Sequence, residues 1–352
     1  MDDATLQELG WDDAWASELE QLGEDNLVAG RIAAQHRGEF VLWTAAGELR
    51  AELPGRIRYD AGVSGVLPAV GDWVAARVRA LEGRATIHTV LPRRSTISRK
   101  EVLTGSLPQV LAANVDIAFL LTGLDADFSI RRLERYLVLA WESAAAPVVV
   151  LTKTDLCPDA AEKLLEVERV AIGVPVHPVS NVTGEGLDAV REHLRPATSS
   201  VLLGSSGVGK STLINRIAGD EVMRTSEVAP DGTGRHTTTH RQLIRLPDGA
   251  LVIDTPGLRE LQLWDGDSSA AFADIEALAA DCRFSDCAHV HEPGCAVLGA
   301  VDDGTLQLDR LRSWRKLQRE LASIAARTDR RLQAERKRRW KQHTRSMRKV
   351  KW

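Results

Sequence analysis

The sequence predicts a multidomain α/β protein. It reads as a small N-terminal β-barrel, a central parallel sheet covered by helices, and a C-terminal metal-binding, mostly helical module. Three observations carry this. Residues 28–97 alternate short apolar runs with glycine turns, the pattern of a small antiparallel barrel. From Asn114, strand-like runs alternate with helix-length amphipathic segments, the signature of a parallel sheet packed between helices. Three cysteines and two histidines then crowd between Cys282 and Cys295, ahead of a basic tail. The expected divisions are an acidic arm at 1–27, the barrel at 28–105, the parallel-sheet domain at 106–266 and the metal module at 267–352.

Composition narrows the class. The 352 residues are 44% hydrophobic and 27% charged, which suits a soluble chain able to bury real cores. Nine acidic residues and no Lys or Arg precede Arg31, so the start does not read as a signal peptide. The longest apolar runs, such as 116–124 and 147–151, are too short to cross a bilayer. A cytoplasmic monomer with no membrane contact is the expectation. Charge is uneven: residues 309–352 hold seventeen Lys/Arg against four Asp/Glu, or +13, which leaves −17 on residues 1–308 within a total of −4. A basic tail on an acidic body points to a polyanionic partner met by one end of the chain.

In the arm, Trp11, Trp15, Leu19 and Leu22 recur at roughly helical spacing, which reads as a packed arm rather than a site. The barrel runs include 40–43, 73–78 and 85–91, separated by glycines such as Gly47, Gly71 and Gly83. Residues 93–109 read as a linker. Strands are expected at 117–121, 148–152 and 174–179, and helices at 130–141, 160–170 and 187–194. The polar connector Pro196–Ser200 leads into the strand Val201-Leu202-Leu203. Two further strands flank Pro247-Asp248-Gly249.

That strand opens the clearest motif, Gly204-Ser205-Ser206-Gly207-Val208-Gly209-Lys210-Ser211-Thr212, which fills the G-x-x-x-x-G-K-[ST] pattern of a phosphate-binding loop. Its glycines let backbone N–H groups turn in around a polyphosphate, and the helix that follows adds its positive end. Lys210 is expected to reach the β/γ-phosphates and Ser211 to sit on Mg²⁺. Asp254 closes a later apolar strand and starts Asp254-Thr255-Pro256-Gly257. An acid behind Mg²⁺ and a glycine N–H to the γ-phosphate are expected there.

Thr152-Lys153-Thr154-Asp155 closes another apolar strand. A carboxylate in that place accepts two hydrogen bonds from guanine N1–H and the 2-amino group, which adenine lacks. Such a site rejects the wrong base by as much as ~10⁴, because a buried acceptor would be left unpaired. Asp155 alone also reads as a helix N-cap; the phosphate loop tips the reading to guanine. The Lys153 stem is expected over the ring. Ser180-Asn181, after the next strand, suits the loop whose backbone N–H meets guanine O6. These motifs run in an unusual order, with the base-reading pair ahead of the phosphate loop. A doubly wound sheet tolerates that rearrangement, because joining its old termini and cutting elsewhere preserves the site.

On these motifs the chain resembles the circularly permuted, ribosome-associated GTPases of the RsgA/YjeQ family. The likeness extends to the barrel-like region, to Gln109–Asp116 and to Gly234-Arg235-His236-Thr237-Thr238-Thr239. It implies an OB-fold for the barrel, a circularly permuted GTPase domain, and a first switch loop at 234–239 in which Thr238 holds Mg²⁺. Two departures from ordinary GTPases matter. Leu258 stands where a water-positioning Gln is usual, so His236 is the candidate for that task and slow intrinsic hydrolysis is expected. Thr152 replaces the usual Asn of Asn-Lys-x-Asp, which puts the contact to guanine N7 and the brace to the phosphate loop in question.

Cys282-x₄-Cys287-x-His289-x₅-Cys295 supplies four ligands suited to one closed, structural Zn²⁺ site, and its spacing matches the family's zinc motif. Leu311, Trp314, Leu317, Leu321 and Ile324 then mark one face of a helix, after which Trp340 and Trp352 lie among cations, as RNA contacts would. The resemblance implies a GTP hydrolase, converting GTP to GDP and phosphate in assembly or maturation of the small (30S) ribosomal subunit. It further implies binding to that subunit's rRNA and stimulation by the subunit. The alternative is a nucleotide-regulated RNA-binding module with vestigial hydrolysis, which Leu258 keeps open.

Overall fold

The computed structural model describes residues 6–36, 39–55, 67–99, 109–223, 241–254 and 272–328, with side chains to residue 319. It divides into two compact units, residues 1–99 with 107–262, and 100–106 with 263–352.

The barrel is built from β1 (Leu27–His36), β2 (Glu39–Thr44), β3 (Gly47–Glu52), β4 (Trp73–Arg79) and β5 (Arg84–Val90). The pairing runs β1-β2-β3-β5-β4 and returns from β4 to β1, so five strands close on themselves with no free edge. Only β3–β5 is parallel among these pairs. This is the five-strand architecture of an OB-fold. Alternation decides what points inward: Ile32, Leu42, Val74, Ala76, Ala85 and Ile87 are fully buried and fill the interior.

Ahead of the barrel, α1 (Asp13–Glu20) starts at Asp12, whose carboxylate accepts the N–H groups of Ala14 and Trp15, both at 3.1 Å. Trp15 is buried, and Trp11 meets Trp73 edge-on at 4.7 Å. The arm is packed, as its spacing implied. Arg31 of β1 ties arm, barrel and sheet together. Its guanidinium donates to the Leu9 carbonyl, to Asn114 O at 3.3 Å and to Ser199 Oγ at 2.6 Å.

The expected linker contains structure. Thr96–Arg99 (β6) pairs antiparallel with Gln109–Ala113 (β7) in a separate two-stranded sheet. Strands of four and five residues give too little pattern to separate from a polar connector. Next come β8 (Ile117–Gly123), α2 (Ile130–Glu142), β9 (Ala146–Thr152), α3 (Ala160–Glu168), β10 (Val176–Pro178) and α4 (Leu187–Arg191). They are followed by β11 (Ser199–Leu203), α5 (Lys210–Ala218), β12 (Gln242–Arg245) and β13 (Leu251–Asp254). The sheet order is β10-β9-β8-β11-β13-β12, parallel throughout except for β12. Central strands buried on both faces explain the unbroken apolar runs. Phe119, Val150, Leu202 and Val252 meet Leu213 and Ile214 of α5 in one core.

The sheet continues into the barrel where Ala34 of β1 faces Gln242 of β12. At Gly71 the barrel backbone comes so close that a Cβ would stand 2.1 Å from the Ala113 carbonyl oxygen. Only glycine, here at φ +91°, permits that approach.

The second unit holds α6 (Ala273–Ala279), α7 (Ala296–Asp302) and α8 (Leu308–Thr328). Leu311 and Leu317 of α8 are buried, in line with the expected face. Among the described residues, no helix is long and apolar enough to cross a membrane.

Candidate nucleotide site and metal centre

Parallel strands deliver their C-terminal ends to one edge, and the ends of β9, β10, β11 and β13 carry the residues singled out by motif. From β11 the chain turns through Gly204, where a Cβ would stand 2.8 Å from Leu121 O, so the loop must hug β8. Gly207 and Gly209 take positive φ, +75° and +100°, and Gly209 opens α5. Among the described residues, the backbone N–H groups of Ser205, Ser206 and Gly207 meet no protein acceptor, while 206–207 form a tight turn. A ring of such uncommitted donors at a helix N-terminus is an anion cradle. Lys210 Nζ donates to Gly204 O at 2.9 Å and Ser205 O at 2.7 Å, which holds the ammonium beside the cradle. Ser211 and Thr212 occupy the first turn of α5. Asp254 ends β13; burial pushes its carboxyl above the usual range, and the nearby Lys210 charge pulls the other way.

Thr152 is fully buried, and its hydroxyl donates to Val208 O at 2.7 Å. A shorter side chain therefore supplies the brace to the phosphate loop that the missing Asn put in question. Lys153 sits at φ +62° with Nζ 2.5 Å from Asp125 Oδ2. Ser180 Oγ donates to Asp155 Oδ1 at 2.6 Å and accepts from the N–H groups of Val182 and Thr183. That fixes the Asp155 carboxylate against the 180–184 loop. Asn181 Nδ2 donates to Gly209 O at 3.2 Å, so this loop also touches the phosphate loop. The structure thus brings residues 152–155, 180–181, 204–212 and 254 to one edge. His236, Thr238, Gly257 and Leu258 lie outside the described residues.

Two residues that sequence reasoning did not single out contact the motif residues. Asp125, just past β8, pairs with Lys153, and Arg216 of α5 donates to the carbonyls of Asn181 and Val182. Neither stands in a motif, so nothing local marks it.

In the second unit, the ligand atoms of Cys282, Cys287, His289 and Cys295 all lie within 4.8 Å of one another. His289 Nδ1 faces Cys282 Sγ at 3.6 Å and Cys295 Sγ at 3.4 Å. The group fits one metal ion. Its loop is braced on several sides. Glu292 accepts the N–H groups of His291, Val290 and Ala288, and those bonds, that from His291 foremost, hold its carboxyl down at about 2. Arg315 donates to the His289 carbonyl, and Trp314 lies against the His289 ring at 5.2 Å while its Nε1 donates to Glu276. Helices α6 and α8 are thus tied to the ligand loop.

Comparison with known proteins agrees with this geometry. A family model described as RsgA GTPase matches residues 90–264. A second, described as 50S ribosome-binding GTPase, matches 199–334, starting at the phosphate-loop strand. A protein from Opitutus terrae named small ribosomal subunit biogenesis GTPase RsgA is 50% identical, over 92% of each chain. Its namesake from Syntrophotalea carbinolica is 46% identical, again over 92% of each. The crystal structure of YjeQ from Thermotoga maritima superposes with a TM-score of 0.63 at 28% identity, covering 84% of this chain and 99% of that one. YloQ, described as a circularly permuted GTPase, shares the fold with a TM-score of 0.59 at 24% identity, over 87% of this chain and 98% of its own. With 50% identity to an RsgA GTPase over 92% of each chain, and a phosphate loop that follows rather than precedes the strands β8 to β10, the chain belongs to the RsgA GTPase family.

Proposed function

We propose that the chain hydrolyses GTP to GDP and phosphate in biogenesis of the small ribosomal subunit, the process for which its relatives are named. One observation carries the nucleotide assignment: Asp155 is oriented by Ser180 beside a loop that is hydrogen-bonded to the phosphate cradle. Asp155 reads guanine N1–H and the 2-amino group, the Lys153 stem covers the ring, and the Asn181 N–H meets O6. Gly204 to Thr212 wrap the phosphates. Mg²⁺ bound with GTP supplies charge neutralisation at the β- and γ-phosphates. The chain holds it through Ser211 and Thr238, with Asp254 behind them and Gly257 on the γ-phosphate. His236 places the attacking water, because Leu258 cannot. A partner that completes such a site raises the rate by ~10³–10⁵.

The metal is a single structural Zn²⁺. Tetrahedral zinc with Zn–S of about 2.3 Å sets its sulfurs about 3.8 Å apart; the sulfurs of Cys282 and Cys295 are 3.8 Å apart, which supports this choice. The partner is the small subunit and its rRNA, met through the basic residues after Asp309 and through the barrel. The protein acts as a cytoplasmic monomer, organised as arm 1–27, barrel 28–105, GTPase domain 106–266 and zinc module 267–352. Competition binding tests the nucleotide: unlabelled GDP is expected to displace a labelled guanine nucleotide, while ADP at a thousandfold higher concentration, inside the ~10⁴ rejection such a site affords, leaves it bound. Displacement by ADP at comparable concentration defeats the assignment. The second reading, a nucleotide-regulated RNA-binding module with vestigial hydrolysis, is favoured by Leu258 alone.

A further inference from the structure

The loop that reads the base is fastened to the helix that binds the phosphates, by side chains outside the base-reading contacts. Arg216 lies on α5, six residues beyond Lys210. Its Nε donates to the Asn181 carbonyl and its Nη2 to the Val182 carbonyl, both at 3.0 Å. From the other side, the Asn181 amide donates to Gly209 O at 3.2 Å, at the residue that opens α5. Asn181 is therefore held at its backbone oxygen by the body of the helix and at its side chain by the helix start.

Within the loop, hydrogen bonds account for every N–H but one. Ser180 N donates to Glu185 O, Gly184 N to Ser180 O, Val182 and Thr183 N to Ser180 Oγ, and Glu185 N to Thr183 Oγ1. Among residues 180–185, only the Asn181 N–H meets no acceptor in the described structure. An oriented donor with no protein partner, beside a carboxylate fixed by Ser180, is built for an acceptor on a ligand. The packing is close: a Cβ at Gly209 would stand 2.8 Å from Asn181 Nδ2, so the contact requires glycine there.

We propose that the Asn181 amide and the Arg216 guanidinium form a clasp that sets the Asn181 N–H from the phosphate-loop helix, making them positioning residues for 6-oxo purines. The ligand class follows from the donor: it meets the 6-oxo group of guanine or hypoxanthine and opposes the 6-amino group of adenine. The clasp rests on reading 152–155 and 180–181 as the guanine site.

The test measures dissociation constants for GDP, IDP, ADP and inorganic tripolyphosphate. The proteins are the unaltered full chain, the variants Asn181→Ala, Arg216→Met, Arg216→Lys and Asp155→Asn, and the double variant Asn181→Ala with Arg216→Met. Asn181→Ala and Arg216→Met are expected to weaken GDP and IDP alike by about tenfold, the equivalent of one net hydrogen bond. ADP and tripolyphosphate keep their affinities, Arg216→Lys recovers part of the loss, and the double variant is no worse than either single one. Asp155→Asn instead weakens GDP more than IDP, which lacks the 2-amino group. If Arg216→Met and Arg216→Lys leave the GDP-to-ADP ratio unchanged while Asp155→Asn alters base choice, the clasp is refuted and the guanine site stands. Equal weakening of GDP and tripolyphosphate also refutes it, because the residues would then only support the phosphate loop. If Asp155→Asn leaves base choice untouched, the guanine site fails and the clasp with it.

Discussion

At the scale of single residues, Thr152 shows how a departure from a motif keeps its mechanical task. The hydroxyl is buried and bonds to Val208 O, so Thr152→Val removes the donor and leaves a buried carbonyl unpaired. The expected cost is roughly 1–3 kcal/mol in unfolding free energy, with weaker GDP binding, while Thr152→Ser keeps both near their starting values. Denaturant unfolding with and without GDP checks this; a Val variant indistinguishable from the Ser variant would mean that the bond carries nothing. The glycines, Lys210 and Asp155 were legible because each sits in a local pattern tied to a strand end. Thr152's partner is 56 residues away and Arg216's is 35, so no window of sequence contains either contact. Asp125 is the same case, one acid among 49 Asp/Glu until β8 and β9 place it beside Lys153.

Among the elements, the long apolar strands were legible and the short ones were not. The strand expected over 174–179 is only Val176–Pro178, and its neighbouring helix stops at Arg191. Next to that edge, His177 of β10 and His193 just after α4 face each other with Nε2 atoms 2.9 Å apart. Burial lowers both pKa values; for His177 the His193 charge adds to this and Glu192 opposes it, and for His193 Glu192 opposes and Arg195 adds. Above the ordinary value of 6.5 both states are neutral and the pair contributes no pH dependence. Below it the unfolded chain takes up protons that the folded chain resists, so stability falls as pH drops. Melting temperature is expected to fall between pH 7.5 and 5.5, and a His177→Gln, His193→Gln variant to flatten that slope; equal slopes would contradict the role given to the pair. The metal module makes a sharper claim. Its ligand loop is tied to α6 and α8 through Glu276, Trp314 and Arg315. Such sites contribute ~10–16 kcal/mol apparent at neutral pH. Chelation or Cys295→Ser should thus remove the helical circular dichroism of this unit while GDP affinity in the other persists. Unchanged helicity after verified metal loss would show that the site is dispensable for folding.

For the molecule as a whole, closure of five strands into a barrel and the permuted order of the sheet are one design. β1 closes the barrel through β4 and also pairs with β12, so the barrel shares a continuous sheet with the nucleotide domain. Arg31 and Gly71 pack that junction. The pattern of glycine turns revealed the barrel, and the order of the motifs revealed the permutation. The junction was not legible, because it depends on which strands meet rather than on what any strand contains. In the function proposed above, the small ribosomal subunit completes the GTPase site. The most direct measurement is the GTP turnover rate of the full chain, alone and with purified small subunits. Turnover is expected to be slow for the chain alone and to rise on the order of 10³-fold with the subunit; equal rates in both conditions would rule out completion of the site by the subunit.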